Sequence, residues 1–139
     1  MRRVVVTGIG LLSSIGAGKE NTWNNLLNGK SGIKKIDQFN TDDFSCKIAG
    51  YISNDENNAN YFDISSYLDN KEIKRNDRFI QYGIVAAKMA VEDSGIQNLS
   101  EEDKLNTGVI VGSGIGGLET IYNGSLTIKN GGPRRLSPF

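Results

Sequence analysis

Thr107-Gly108-Val109-Ile110-Val111-Gly112-Ser113-Gly114-Ile115-Gly116-Gly117 is the stretch that decides the fold class. Its first half is apolar and rich in β-branched residues, which fit a pleated, packed surface, so residues 107–111 are expected to form a buried strand. Gly112 closes that run, and a helix is expected from near Gly117 to about Lys129. The chain start follows the same plan. Residues 3–7 (Arg-Val-Val-Val-Thr) read as a strand, and Gly8 and Gly10 as a tight turn. Strands that run through glycine turns into helices point to an α/β fold with a parallel sheet covered on both faces.

Between these units, residues 19–28 are expected to be helical, because Trp23, Leu26 and Leu27 fall at i, i+3 and i+4 and Gly29 offers a stop. Residues 77–94 make the strongest helix. They are apolar nearly all round, which predicts burial on every side, and Gly95 ends them. Ser100 with Asp103 marks the start of a short helical turn. The Ser31-Gly32, Asn40-Thr41 and Asn54–Asn60 stretches read as turns or loops, with a short strand possible over residues 47–52. Residues 130–139 read as loop. Two strands, or three, are few for a parallel sheet. Either the chain is the opening part of a larger domain, or further strands lie unseen in residues 30–62.

The chain has 139 residues with 16 basic and 16 acidic side chains, 37% hydrophobic and 23% charged residues. That balance fits a globular protein. It gives no reason to expect nucleic acid or an anionic membrane as partner. No apolar run approaches the roughly 20 residues that span a bilayer, and a cytoplasmic protein is the expectation. Cys46 is the single cysteine and there is no histidine. An internal disulfide, a cysteine-cluster metal site and every Ser-His or Cys-His pair are therefore excluded within these residues. No metal or cofactor is expected. Gly112, Gly114 and Gly117 do match G-x-G-x-x-G between a strand and a helix, a pattern that can hold a pyrophosphate. The acid expected about 20 residues later is missing, and Gly131-Gly132-Pro133-Arg134-Arg135 stands there instead. A dinucleotide-binding module through Gly112 to Gly117 is one reading. Glycines that let backbone pass close to backbone are the other.

Five segments in order resemble the β-ketoacyl-acyl-carrier-protein synthases, most of all their elongating members. They are Val4 to Gly10; Trp23, Leu26-Leu27 and Gly29-Lys30-Ser31-Gly32-Ile33; Asp77-Arg78-Phe79-Ile80-Gln81-Tyr82-Gly83; Gly112 to Leu118; and Gly131 to Phe139. The resemblance implies the N-terminal part of a thiolase-like α/β/α/β/α fold, incomplete in this chain. Residues 1–139 would be one N-terminal part of a synthase N-terminal domain, ending before the nucleophile. It implies acyl transfer by decarboxylative condensation of acyl and malonyl carrier protein in fatty-acid synthesis, carried out by a homodimer. A cysteine nucleophile and two histidines would do the chemistry, all beyond Phe139, so no catalytic residue is assigned here and the 139 residues alone are expected to be inactive. Cys46, after Phe44-Ser45, does not match the nucleophile's surroundings.

Two further expectations concern binding. Lys71, Lys74, Arg75 and Arg78 recur at i, i+3, i+4 and i+7, one face if the stretch is a single helix. By composition this is a solvated face beside Asp69, Glu72 and Asp77. The resemblance implies instead that Lys71, Lys74 and Arg75 dock acidic acyl carrier protein, and a non-catalytic carrier-protein binder is a third reading of the whole chain. The resemblance also places Ile115 on the wall of the acyl pocket, where its bland role is packing under a glycine turn.

Overall fold

The structure, a computed structural model, describes residues 2–53, 55–57 and 61–136. Asn54 and residues 58–60 of the Asn-rich loop, and residues 137–139 of the terminal loop, lie outside the described residues.

After an extended N-terminal run, β1 (Leu12–Ser13) and β2 (Gly16–Ala17) pair antiparallel, Leu12 opposite Ala17 and Ser13 opposite Gly16. The hairpin is tied by Ser13 Oγ, which donates to the Gly16 carbonyl at 3.3 Å and accepts from the Ile15 N–H at 3.3 Å. It leads into α1 (Lys19–Leu27), at whose C-terminal end the Asn28 N–H donates to the Asn24 carbonyl and the Gly29 N–H to the Leu26 carbonyl. The expected helix over 19–28 is therefore present. Next come β3 (Ile33–Lys35) and β4 (Ile48–Gly50), antiparallel with Lys34 opposite Ala49. β4 falls inside the possible strand at 47–52. Its partner β3 and the β1–β2 hairpin are strands that the sequence reading lacked, each two or three residues long and too short for a period-2 pattern to register.

The helical half begins with α2 (Asn70–Arg75), followed by α3 (Arg78–Ser94), α4 (Glu101–Leu105) and α5 (Leu118–Gly131). α3 stops at Gly95, whose φ of 66° is left-handed and terminates the ladder as glycine does best. Ser100 Oγ accepts from the Asp103 N–H at 3.1 Å and starts α4 as expected. α5 matches the expected helix from Gly117 and extends past Lys129, and a single 3-10 turn at Pro133–Arg135 interrupts the loop expected after it.

Two expectations fail. Residues 3–7 and 107–111 are not strands: neither run joins a ladder among the described residues, and no parallel sheet forms. Both stay solvent-facing, Ile110 at 99% exposure. A β-branched run expresses fitness for a sheet, and it becomes a strand only when a neighbour takes its N–H and C=O groups. The second failure is the burial of α3. Val85 is fully buried, but Phe79, Ile80 and Val91 are exposed, because the described residues cover α3 on part of its circumference only. Trp23, Leu26 and Leu27 of α1 are exposed as well. Among the described residues the largest fully buried side chains are Leu68 and Val85.

What does cover α3 is the N-terminal run. A Cβ on Gly8 would lie 2.4 Å from the Ala90 carbonyl oxygen, and one on Gly10 1.8 Å from that of Ala86. These two glycines let the run cross the small-residue face of the helix at backbone contact. Asp93 near the end of α3 latches the crossing. Its carboxylate accepts the Ile9 N–H at 3.0 Å and pairs with Lys19 at the start of α1. Both bonds favour the charged form and hold Asp93 below the usual carboxylate range, Lys19 first and the Ile9 N–H second.

Candidate functional site

Two neighbourhoods carry the residues singled out by sequence. The first is α2, which presents the cations. Its start is a capping box: Asp69 Oδ1 accepts the Lys71 and Glu72 N–H groups at 2.8 and 2.7 Å, and Glu72 Oε2 accepts the Asp69 N–H at 3.0 Å. The helix then ends at Asn76, where φ −111° and ψ 134° are extended backbone. Lys71, Lys74 and Arg75 thus share one short helix and are exposed, while Arg78 belongs to α3. The four do not form one continuous helical stripe. The break at Asn76 turns the chain before the fourth position, a turn that i, i+3, i+4, i+7 spacing does not report.

The second neighbourhood is the glycine turn. Gly117 has φ 71° and stands at the start of α5. A Cβ on Gly116 would lie 2.5 Å from Cε2 of Phe79, so the aromatic ring rests on the turn. Thr120 Oγ1 in the first turn of α5 donates to Asp77 Oδ1, which lies at the N-terminal cap of α3. The Asp77-Arg78-Phe79 segment and the Gly-Ser-Gly-Ile-Gly-Gly segment, nearly 40 residues apart, therefore meet. A cleft of about 370 Å³ opens beside them, with Asp77, Thr120, Asn123, Thr127, Arg135 and Leu136 among its walls. Ile115 is not among its walls and is 79% exposed.

Gly112 and Gly114 have no atom within 4 Å of a would-be Cβ and no positive φ. The strand required before a dinucleotide turn is not formed either. Cys46 is exposed and donates Sγ–H to the Ile48 carbonyl at 3.3 Å. Among the described residues there is no cluster of three or more metal-ligating side chains, and no helix is long and apolar enough to cross a membrane.

Sequence reasoning missed Gln81 as a site residue. It is buried in α3, and its Nε2 donates to the Ile73 carbonyl at 2.8 Å and the Asn76 carbonyl at 2.6 Å. The signal was a lone amide in a run otherwise read as apolar. A buried polar group must find partners, and an amide on a core-facing position announces a carbonyl that needs one.

The chain thus combines an N-terminal run that crosses a small-residue helix with a glycine turn that packs on an Asp-Arg-Phe helix start. Its sequence matches the family described as beta-ketoacyl synthase, N-terminal domain, over residues 1–139, and the chain belongs to that family. It is 46% identical over 138 residues to 3-oxoacyl-[acyl-carrier-protein] synthase 2 of Vibrio cholerae serotype O1 (strain ATCC 39315 / El Tor Inaba N16961), covering 99% of this chain and 31% of the relative. It is 42% identical over 139 residues to the protein of the same name from Rhizobium meliloti (strain 1021), covering 100% and 33%. Among solved structures it is similar to the ishigamide ketosynthase/chain length factor, with a TM-score of 0.72, 31% identity, and coverage of 99% of this chain and 32% of that one. The thiolase-like α/β fold class holds, and the chain spans about a third of the length of these relatives.

Proposed function

We propose that residues 1–139 are the N-terminal part of a 3-oxoacyl-acyl-carrier-protein synthase, lying before its nucleophile, and that the assembled enzyme elongates acyl chains. The reaction is a decarboxylative condensation. A cysteine thiolate takes the acyl group from its carrier protein, malonyl-carrier protein loses carbon dioxide, and the carbanion attacks the acyl thioester and expels the thiolate. With no histidine and Cys46 in an exposed loop, these 139 residues perform none of those steps alone. Their part is structural and recognitional. Lys71, Lys74 and Arg75 dock the acidic acyl carrier protein, and Ile115 contributes to the wall of the acyl pocket. The enzyme works as a cytoplasmic homodimer without a metal or organic cofactor.

The observation that carries this reading is identity of 42% and 46%, spread over the whole chain, to proteins named 3-oxoacyl-[acyl-carrier-protein] synthase 2. The test is an exchange. Residues 1–139 replace the matching third of the Vibrio cholerae relative, and elongation is followed with short and long acyl-carrier-protein substrates. Elongation is expected to persist. Adding Ile115→Phe to the exchanged protein is expected to suppress long substrates by about 5- to 150-fold while sparing short ones, because overpacking a fitted wall costs about 1–3 kcal/mol. A folded, dimeric exchange protein with no condensation activity would overturn the assignment. Equal activity of the Phe variant on both substrates would remove Ile115 from the pocket.

A further inference from the structure

We infer that Gln81 is a positioning residue for carrier-protein docking, because its single amide sets the angle at which α2, with Lys71, Lys74 and Arg75, leaves α3. The inference rests on the docking role proposed above.

The last carbonyls of any helix lack partners within it. At the end of α2 the Glu72 carbonyl is met locally, by the backbone N–H of Asn76 at 3.1 Å and by Asn76 Nδ2 at 3.0 Å. The Ile73 carbonyl and the Asn76 carbonyl are met from the next helix, both by Gln81 Nε2. One amide nitrogen has two hydrogens, and each goes to a different carbonyl: one on α2, one at the extended residue between the helices. The helical ladder is interrupted at Asn76, so no run of i→i−4 bonds makes α2 and α3 a rigid rod. Gln81 is 8% exposed, which shields both bonds from water. Val85, one turn further on the same face, is the fully buried apolar anchor of the helix. The three cations sit within eight residues of these carbonyls and move with them. Their side chains are exposed and long, so the backbone direction of α2 decides where the charge cluster points.

The test uses the exchange protein, in which residues 1–139 replace the matching third of the Vibrio cholerae relative, with purified acyl carrier protein and titration at low ionic strength. Gln81→Met keeps the side-chain length and removes both donors. It is measured alone, in a Lys74→Ala/Arg75→Ala background, and beside that background by itself. Gln81→Met alone is expected to weaken binding about tenfold, and to add no further loss once the cations are gone, the non-additivity of residues acting through one another. A general structural defect would instead weaken binding equally in both backgrounds, and that additive outcome overturns the inference. If Lys74→Ala/Arg75→Ala weakens binding but Gln81→Met alone does not, the inference fails and the docking role stands. If the cation pair has no effect, the docking role itself fails. Should Gln81→Met not fold, the exchange protein without that substitution decides. The Gln81 side-chain N–H signals are expected to exchange slowly with solvent and to shift when carrier protein is added; fast exchange with no shift overturns the inference.

Discussion

Replacing Gly10 by alanine is expected to break the packing of the N-terminal run on α3. The added Cβ would lie 1.8 Å from the Ala86 carbonyl oxygen and 2.8 Å from both the Ala86 carbonyl carbon and the Ala90 nitrogen. Real Cβ atoms keep at least 3.0 Å from such neighbours, so the run and the helix must separate by roughly 3.0 − 1.8 = 1.2 Å. All three neighbours are helix backbone and cannot rotate aside. Gly10 has no positive φ, so conformational strain adds nothing and the contact carries the effect. Overpacking of this kind costs about 1–3 kcal/mol. The displacement also stretches the bond from the Ile9 N–H to Asp93, and a hydrogen bond to a charged acceptor contributes about 1.5–3 kcal/mol. With part of that bond kept, about 2–4 kcal/mol is the expected loss. At about 4 °C per kcal/mol for a chain of this size, the thermal midpoint should fall by roughly 8–16 °C. The assay is thermal unfolding followed by helical circular dichroism, with Gly112→Ala as control. Gly112 has open space and no positive φ, so alanine there should leave the midpoint unchanged or raise it slightly, by the equivalent of about 0.4–1 kcal/mol. If Gly10→Ala and Gly112→Ala melt within 2 °C of each other (about half a kcal/mol on the same scale), the backbone contact between the run and α3 does not exist in solution.

The Lys19–Asp93 pair predicts a pH dependence. Asp93 is held below its ordinary value of 3.8 by Lys19 first and by the Ile9 N–H second, so its contribution is present above that value and lost as pH falls through its lower folded value. Lys19 is raised above 10.5, first by its hydrogen bond to Asp93, so its contribution is present below 10.5 and lost as pH rises through its higher folded value. Asp93→Asn should therefore lower the melting midpoint at neutral pH and flatten its acid limb. Parallel midpoint curves for the two proteins from pH 2 to 7 would rule the latch out. For docking, Lys74→Glu with Arg75→Glu should weaken acyl carrier protein binding about tenfold at low salt and reduce the salt dependence, since exposed charges each contribute about 0.2–1 kcal/mol and reversal adds repulsion. Unchanged affinity at low ionic strength would dismiss these two residues as docking cations.

The helices were legible because their signals are local. Asp77 and Gly95 bracket α3, Ser100 and Asp103 open α4, and Gly117 opens α5; each signal sits within a turn of the boundary it sets. The apolar runs 3–7 and 107–111 misled for the opposite reason. Val4 to Val6 and Val109 to Val111 carry a preference for a sheet, but a strand is a property of two segments, and the second is not written in the run itself. The capping box at Asp69 and Glu72 could have been read from the sequence, since D-x-x-E before an apolar position is its signature; the end of α2 could not, because it depends on an amide five residues beyond Asn76. At the glycine turn the same division holds. The turn was visible in Gly112 to Gly117, whereas its contact with Phe79 and Asp77 is long-range and nothing within either segment announces it.

The glycines of that turn decide between the two chemistries the sequence left open. A dinucleotide site needs the first glycine for a tight turn from a strand, the second for close approach of a pyrophosphate, and the third for close packing of helix on strand. Here the positions that would serve the first two, Gly112 and Gly114, face open space in ordinary backbone conformations, and no strand precedes them. The glycines under constraint are Gly116, which a phenyl ring covers, and Gly117, which is left-handed. Gly116 is not a position of the dinucleotide pattern at all. The constraint thus falls at the helix end of the turn, and at Gly116 it is imposed by Phe79, a side chain of the protein, in place of a phosphate. Thr120 and Asp77 reinforce the same junction with a hydrogen bond that leaves a carboxylate at the mouth of α5, where a bound anion would be repelled. The turn therefore joins two helix starts, and Ile115 within it is exposed.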